Sequence, residues 1–203
     1  MDLPGSYIVV DLETTGLNPW KDRVIEIGVY RVDGNSGPPE AVLVLQPKDT
    51  LLPRDIISIT GITDEDLRMG VPPEVALEWL MDKVGDLPLV GHNIYEFDRL
   101  FLLAEARRHG VEPLAKVMRD EGRFFDTMAM YKARVTGLRP IEGETRLVFY
   151  RRVLEARFYG ARYTLTKACE EMGVWTQDVR LHRALGDVTL AQRLFEALRQ
   201  LTG

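Results

Sequence analysis

Asp11 and Glu13 stand two residues apart at the end of an apolar run, Tyr7-Ile8-Val9-Val10, just before Thr14-Thr15-Gly16 turns the chain. On a strand, side chains two apart share a face. The two carboxylates would therefore project side by side. Unpaired, they repel each other, and burial adds a desolvation cost. A divalent cation removes both penalties, and hard oxygen ligands on one face suit Mg2+ or Mn2+. On this pair alone, a solvated turn with two incidental acids is the alternative.

Two further acids occupy places where apolar residues belong. Leu87 to Val90 reads as a short buried strand and Phe97 to His109 as a helix. At helical spacing, Asp98 has Ile94, Tyr95, Phe101 and Leu102 as neighbours, which turns it towards an interior. The alternative is a first-turn acid favoured by the helix dipole. Near the C-terminus, Ala184, Leu185, Val188, Ala191, Leu194, Phe195 and Leu198 form the apolar stripe of a helix, and Asp187 falls inside it. An acid among core residues needs a partner or a cation. His182 precedes it by five residues, on the lead-in or first turn. Three separate segments thus deliver four carboxylates and one histidine, the inventory of a two-metal phosphoryl-transfer site.

The motifs resemble those of the DnaQ-like exonucleases of the ribonuclease-H-like superfamily, in the subgroup with four acids and a histidine (DEDDh). The resemblance runs through Asp11-Leu12-Glu13, then Asn93 to Phe97-Asp98, then His182-Arg183-Ala184-Leu185-Gly186-Asp187, in the family's order. Ile59-Thr60-Gly61-Ile62-Thr63-Asp64-Glu65-Asp66-Leu67 resembles the loop and short helix of the proofreading branch. Phe125-Asp126-Thr127 and Tyr163-Thr164-Leu165 are further landmarks, and the 35 residues between them make a longer connection than is common. The resemblance implies an α/β fold, a ribonuclease-H-like mixed central sheet with flanking helices. It implies a 3′-5′ exonuclease that releases 5′-mononucleotides from single-stranded or frayed ends. Two divalent cations, Mg2+ or Mn2+, would be the cofactors. Asp11, Glu13 and Asp187 would hold the catalytic one, while Asp11 and Asp98 serve the second. His182 would take the proton of the attacking water. Backbone amides near Thr14 and Thr15 would hold a 3′-hydroxyl, and Leu17 would wedge against the last base. Asn93 would position its loop or a phosphate. For Leu17 and Asn93 a structural role is the alternative.

The Gly61 loop favours DNA over RNA. An RNA-trimming or short-oligonucleotide nuclease is the second reading. A catalytically silent nucleic-acid-binding module is the third, and the intact acid set argues against it. Polymerase association and homodimerisation both stay open. The chain closes directly after its last helix, so no long tethering tail is expected.

The 203 residues suffice for a single domain with a full core. The lone Cys169 excludes an internal disulfide framework and suits a reducing cytoplasm. No apolar run is long enough to span a membrane, and no signal-peptide pattern opens the chain. A net charge of −5 is odd for a nucleic-acid enzyme, but it is unevenly spread. From Lys132 to Lys167, nine Lys or Arg face three acids, a local balance of +6. Within about 132–162, Arg146, Arg151, Arg152, Arg157 and Arg162 alternate with Phe149, Tyr150, Phe158 and Tyr159, which suits phosphate contacts and base stacking. Arg151 and Arg152 are the candidate substrate contacts. A helix with a solvated basic face is the alternative.

Further strands are expected at Arg23 to Tyr30, Ala41 to Gln46 and Arg123 to Phe125. The first three strands should form an antiparallel meander. Pro72-Pro73 opens a helix to about Val84, and the last helix runs to about Leu201.

Overall fold

The computed structural model describes residues 3–34, 36–46 and 51–200; Leu201, the expected end of the last helix, lies outside them. Among the described residues, five strands form one sheet in the order β3-β2-β1-β4-β5. These are β1 (Tyr7–Thr14), β2 (Val24–Val32), β3 (Glu40–Leu43), β4 (Leu89–Gly91) and β5 (Phe124–Asp126). The first three pair as the expected antiparallel meander. β4 and β5 add in parallel on the other side of β1. The result is the mixed sheet with flanking helices that the motifs imply. β3 is shorter than expected. Val44 leaves it to bridge Val71, and the Gln46 amide folds back to donate to the carbonyls of Val24 and Val44.

The central strand is covered on both faces, which explains its unbroken apolar start. Ile8, Val10 and Leu12 pack into the larger core with Leu77 and Leu80 of α3 (Pro73–Val84), Phe101 of α4 (Asp98–Arg108) and Leu114 of α5 (Glu112–Arg119). The expected organisation omits α5. Tyr7 and Val9 point the other way, onto Val188, Ala191 and Phe195 of α9 (Ala184–Gln200). Alternation then carries Asp11 and Glu13 to the α9 face, at the end of the strand.

Gly28 lets α9 approach β2 that closely, and Gly186 lets the Arg180 backbone pass against the first turn of α9. A Cβ at Gly28 of β2 would lie 2.6 Å from the Ala184 Cβ, and one at Gly186 only 1.9 Å from the Arg180 carbonyl oxygen. Gly186 and Leu190 accordingly join the buried stripe of α9, whereas Leu185 turns out to solvent.

The Gly61 loop lies between α1 (Arg54–Thr60) and α2 (Asp64–Arg68), and α2 is opened by a capping box of Thr63 and Asp66. The long connection after β5 consists of α6 (Thr127–Thr136), α7 (Arg146–Glu155) and a loop into α8 (Leu165–Glu171), where Cys169 is buried. Burial pushes that thiol up to about 12, which suits packing and not nucleophilic chemistry. Among the described residues no helix is long and apolar enough to cross a membrane.

Candidate active site

Asp11 and Glu13 from β1 and Asp187 from the first turn of α9 each offer a carboxylate oxygen, and these oxygens lie within 4.8 Å of one another. All three side chains are half-buried. Asp98 sits at the N-terminus of α4, 2% exposed, and accepts the backbone N–H of Leu12. It stands outside the group of three, yet it is the foremost charged neighbour of Asp11.

Such crowding has a measurable consequence. Burial, then repulsion from Asp98, Asp187, Glu13 and Glu26, pushes Asp11 well above the usual carboxylate range. Burial and Asp187 push Glu13 up to about 8, against the pull of Arg183. Burial pushes Asp98 up to about 7, partly offset by the backbone amides it accepts. Burial also raises Asp187, to about 6, while the charge and backbone amide of His182 draw it back down. Carboxylates gathered so tightly, with like charges the main electrostatic neighbours of Asp11 and Glu13, are compatible with a divalent metal ion.

His182 is exposed, and its backbone lies in the left-handed region, φ 56°. Non-glycine residues reach that region at a cost of about 1–2 kcal/mol, and such strain concentrates at functional sites. Here it lets the His182 amide face the Asp187 carboxylate. The structure thus brings together the four acids and the histidine from three distant segments.

Glu26 is a fifth carboxylate that sequence reasoning missed. It lies directly opposite Glu13 in the β1–β2 register and is only 2% exposed. It accepts Arg183 Nη2–H at 2.6 Å and the Ala184 N–H at 2.9 Å. The pair therefore clamps the start of α9, between His182 and Asp187, onto the strand beside Glu13. A glutamate inside the apolar run Val24-Ile25-Glu26-Ile27 is the signal that could have revealed it. Glu26→Ala leaves the Ala184 amide without its acceptor and Arg183 without its partner. Turnover should fall about 10–100-fold, as for other residues that orient ligating groups. Circular dichroism and the Mn2+ dependence of the rate check this; unchanged turnover in a folded protein would refute it.

Asp126 is fully buried and anchors the loop that leads to Asp98. Its carboxylate accepts backbone N–H groups of Asn93, Tyr95, Met128 and Ala129, and burial still raises it to about 6. Asn93 has a left-handed φ of 66°, so the observed part it plays is in shaping this loop.

Among the other expected contacts, those of Thr15, Arg151 and Arg152 are corrected. The Thr15 N–H donates to the Arg23 carbonyl, and its hydroxyl accepts the Arg23 N–H, both at 2.9 Å. The Thr14 hydroxyl donates to the Gly16 carbonyl. These groups close the turn between β1 and β2, so the Thr15 amide is not free to hold a 3′-hydroxyl. Leu17 on the same turn is 85% exposed, with Trp20 also exposed nearby. Arg151 and Arg152 are not brought to the carboxylates. α7 packs against α6 and the 3-10 turn Glu121–Arg123 that precedes β5, level with the start of β1. There Arg151 pairs with Glu121, and Arg152 donates twice to Glu144. Arg146 lies 3.7 Å over the Phe125 ring. Phe149 and Tyr150 are core residues and offer no stacking surface. The helix covers apolar surface on one side and neutralises its own cations on the other.

Residues 8–195 match the family described as Exonuclease. The chain belongs to the DnaQ-like exonuclease family. Relatives of this exonuclease chain include the DNA polymerase III subunit epsilon of Aquifex aeolicus, 28% identical over 194 residues, covering 95% of this chain and 80% of that one. Another is the PolC-type DNA polymerase III of Mycoplasma genitalium, 27% identical over 190 residues, covering 94% of this chain. The match spans only 11% of that much longer polymerase. Among solved structures, Escherichia coli exonuclease I in complex with a dT13 oligonucleotide superposes with a TM-score of 0.72 at 22% identity, over 98% of this chain and 41% of that one. That likeness supports the ribonuclease-H-like fold.

Proposed function

We propose that the chain is a metal-dependent 3′-5′ exonuclease that releases 5′-mononucleotides from single-stranded or frayed DNA ends. The observation that carries this reading is the meeting of Asp11, Glu13 and Asp187 within 4.8 Å, with Asp98 buried beside Asp11. Asp11, Glu13 and Asp187 would hold one divalent cation and Asp11 with Asp98 a second, Mg2+ or Mn2+ by the hardness of the ligands. Bound there, the ions supply charge neutralisation at the phosphate and activation of water.

The chain's own residues do the rest. His182 accepts the proton of the attacking water, since its side chain is exposed beside Asp187. Exposed Leu17 rests against the last base and marks the end of the strand. The Glu26–Arg183 clamp holds the His182 segment in place. DNA is favoured because the relatives named above are a DNA polymerase III subunit and a PolC-type DNA polymerase III, and the same relationship supports work beside a polymerase; the lone Cys169 suits a reducing cytoplasm.

Matched 5′-labelled single strands of DNA and RNA test the reading. DNA should shorten stepwise from its 3′ end, faster than RNA, and a 3′-phosphate should block it. Efficient cleavage of a circular single strand would remove the exonuclease assignment.

A further inference from the structure

Between α7 and α8 the chain forms an exposed arc from Ala156 to Tyr163. Arg157, Phe158, Tyr159 and Arg162 all face solvent, Tyr159 completely and Phe158 by 40%. Two large aromatic rings left in water side by side on a short arc call for an explanation. The arc is anchored at its far end. His92 Nε2 meets the Tyr163 carbonyl at 2.8 Å, and its Nδ1 meets Thr127 Oγ1 at 3.0 Å. Lys132 donates to the Leu154 carbonyl at 2.8 Å and lies 5.1 Å from the Tyr163 ring. A surface depression of about 590 Å³ runs along the arc, lined by Lys132, Leu154, Arg157, Phe158, Tyr159 and Tyr163.

The sheet register fixes where this anchor stands. Val9 pairs with Val90, so His92 follows in line with Asp11 on the neighbouring strand path. Val9 and Val90 share the α9-side core, which puts His92 on the face that carries Asp11 and Glu13. Adjacent strands are about 4.8 Å apart. The Tyr163 end of the arc is therefore held beside the strand path next to the one that carries Asp11 and Glu13. Its charge also differs from the rest of the chain. Residues 156–167 include Arg157, Arg162 and Lys167 and no acid. Among the described residues Arg157 and Arg162 form no ion pair, whereas Arg151 and Arg152 do.

We propose that this arc is the track of the strand upstream of the scissile nucleotide, with bases stacking on Tyr159 and Phe158 and phosphates meeting Arg157 and Arg162. It rests on the exonuclease reading above and specifies the path by which that substrate enters. Stacking on an exposed ring is sequence-tolerant, which suits an enzyme that must accept each base in turn.

The test compares a trinucleotide with a strand of about a dozen nucleotides, within the usual span of single-strand sites. Tyr159→Ala should raise KM on the long strand roughly 5- to 150-fold, the effect of losing one aromatic stack. Its kcat, and both constants on the trinucleotide, should stay at wild-type values, and Tyr159→Trp should restore KM. Arg157→Ala with Arg162→Ala should flatten the log–log salt dependence by up to about 1.4, two single-strand phosphate contacts. Fluorescence anisotropy of the long strand in EDTA reads the same affinity loss without turnover. That arm keeps the arc testable if the wild-type protein hydrolyses neither substrate, a result that would remove the exonuclease reading instead. Unchanged long-strand affinity in all variants would overturn the proposal and turn the arc into a surface for a protein partner. Equal losses on both substrates would overturn it too, by showing a defect in the catalytic site.

Discussion

Asp187→Asn and Asp11→Asn, assayed with Mn2+ on a 5′-labelled single strand, are expected to lose turnover by several orders of magnitude while becoming more resistant to heat in chelator. The two effects share one cause. Each carboxylate is held close to the others, where its charge repels theirs and is compatible with a cation. Removing the charge deletes a ligand and relieves the repulsion together. Wild-type activity should vanish in EDTA and return with Mg2+ or Mn2+. Full activity in chelator would overturn the assignment of this group as a metal centre. A variant that lost activity and stability together would point to a packing role instead.

The same carboxylates set a pH dependence. Glu13, Asp98 and Asp187 titrate at about 8, 7 and 6 in the fold, above the ordinary carboxyl value of about 4. Folded protein therefore binds more protons than the unfolded chain between those limits. Their contribution to stability is complete below about pH 4 and is lost progressively as the pH rises from there through the folded values, until about 8. Thermal midpoints in chelator should fall over that window. The gain from Mn2+ should be larger at its upper end, where protons no longer compete for the ligands.

How much was legible in the sequence follows from what each residue type can hide. An acid in an apolar run has few explanations, so Asp11, Glu13, Asp98 and Asp187 were visible from periodicity. The sheet was equally legible, because strands with two covered faces leave unbroken apolar stretches such as Tyr7 to Val10. Glu26 follows the same rule and was passed over because its strand already had an explanation. The arginines of α7 were misjudged for a different reason. Sequence counts charges but does not pair them, and Glu121 and Glu144 lie 30 and 8 residues from their partners. Thr15 was misjudged because an amide's availability depends on the returning strand, and Arg23 takes it.

His182 carries the second large effect. His182→Ala should lower turnover by about 10²–10⁴, the usual worth of a positioned proton acceptor. The Mn2+ concentration for half-maximal rate should stay nearly unchanged, because the Asp187 carboxylate meets the His182 backbone amide, which alanine retains. Alanine must still take up the left-handed conformation that the histidine adopts at φ 56°. That strain gives the experiment its control. His182→Gly removes the same ring and relaxes the backbone. If the ring is the proton acceptor, both variants lose activity alike. If the histidine serves only to shape the turn, glycine restores the rate and alanine does not.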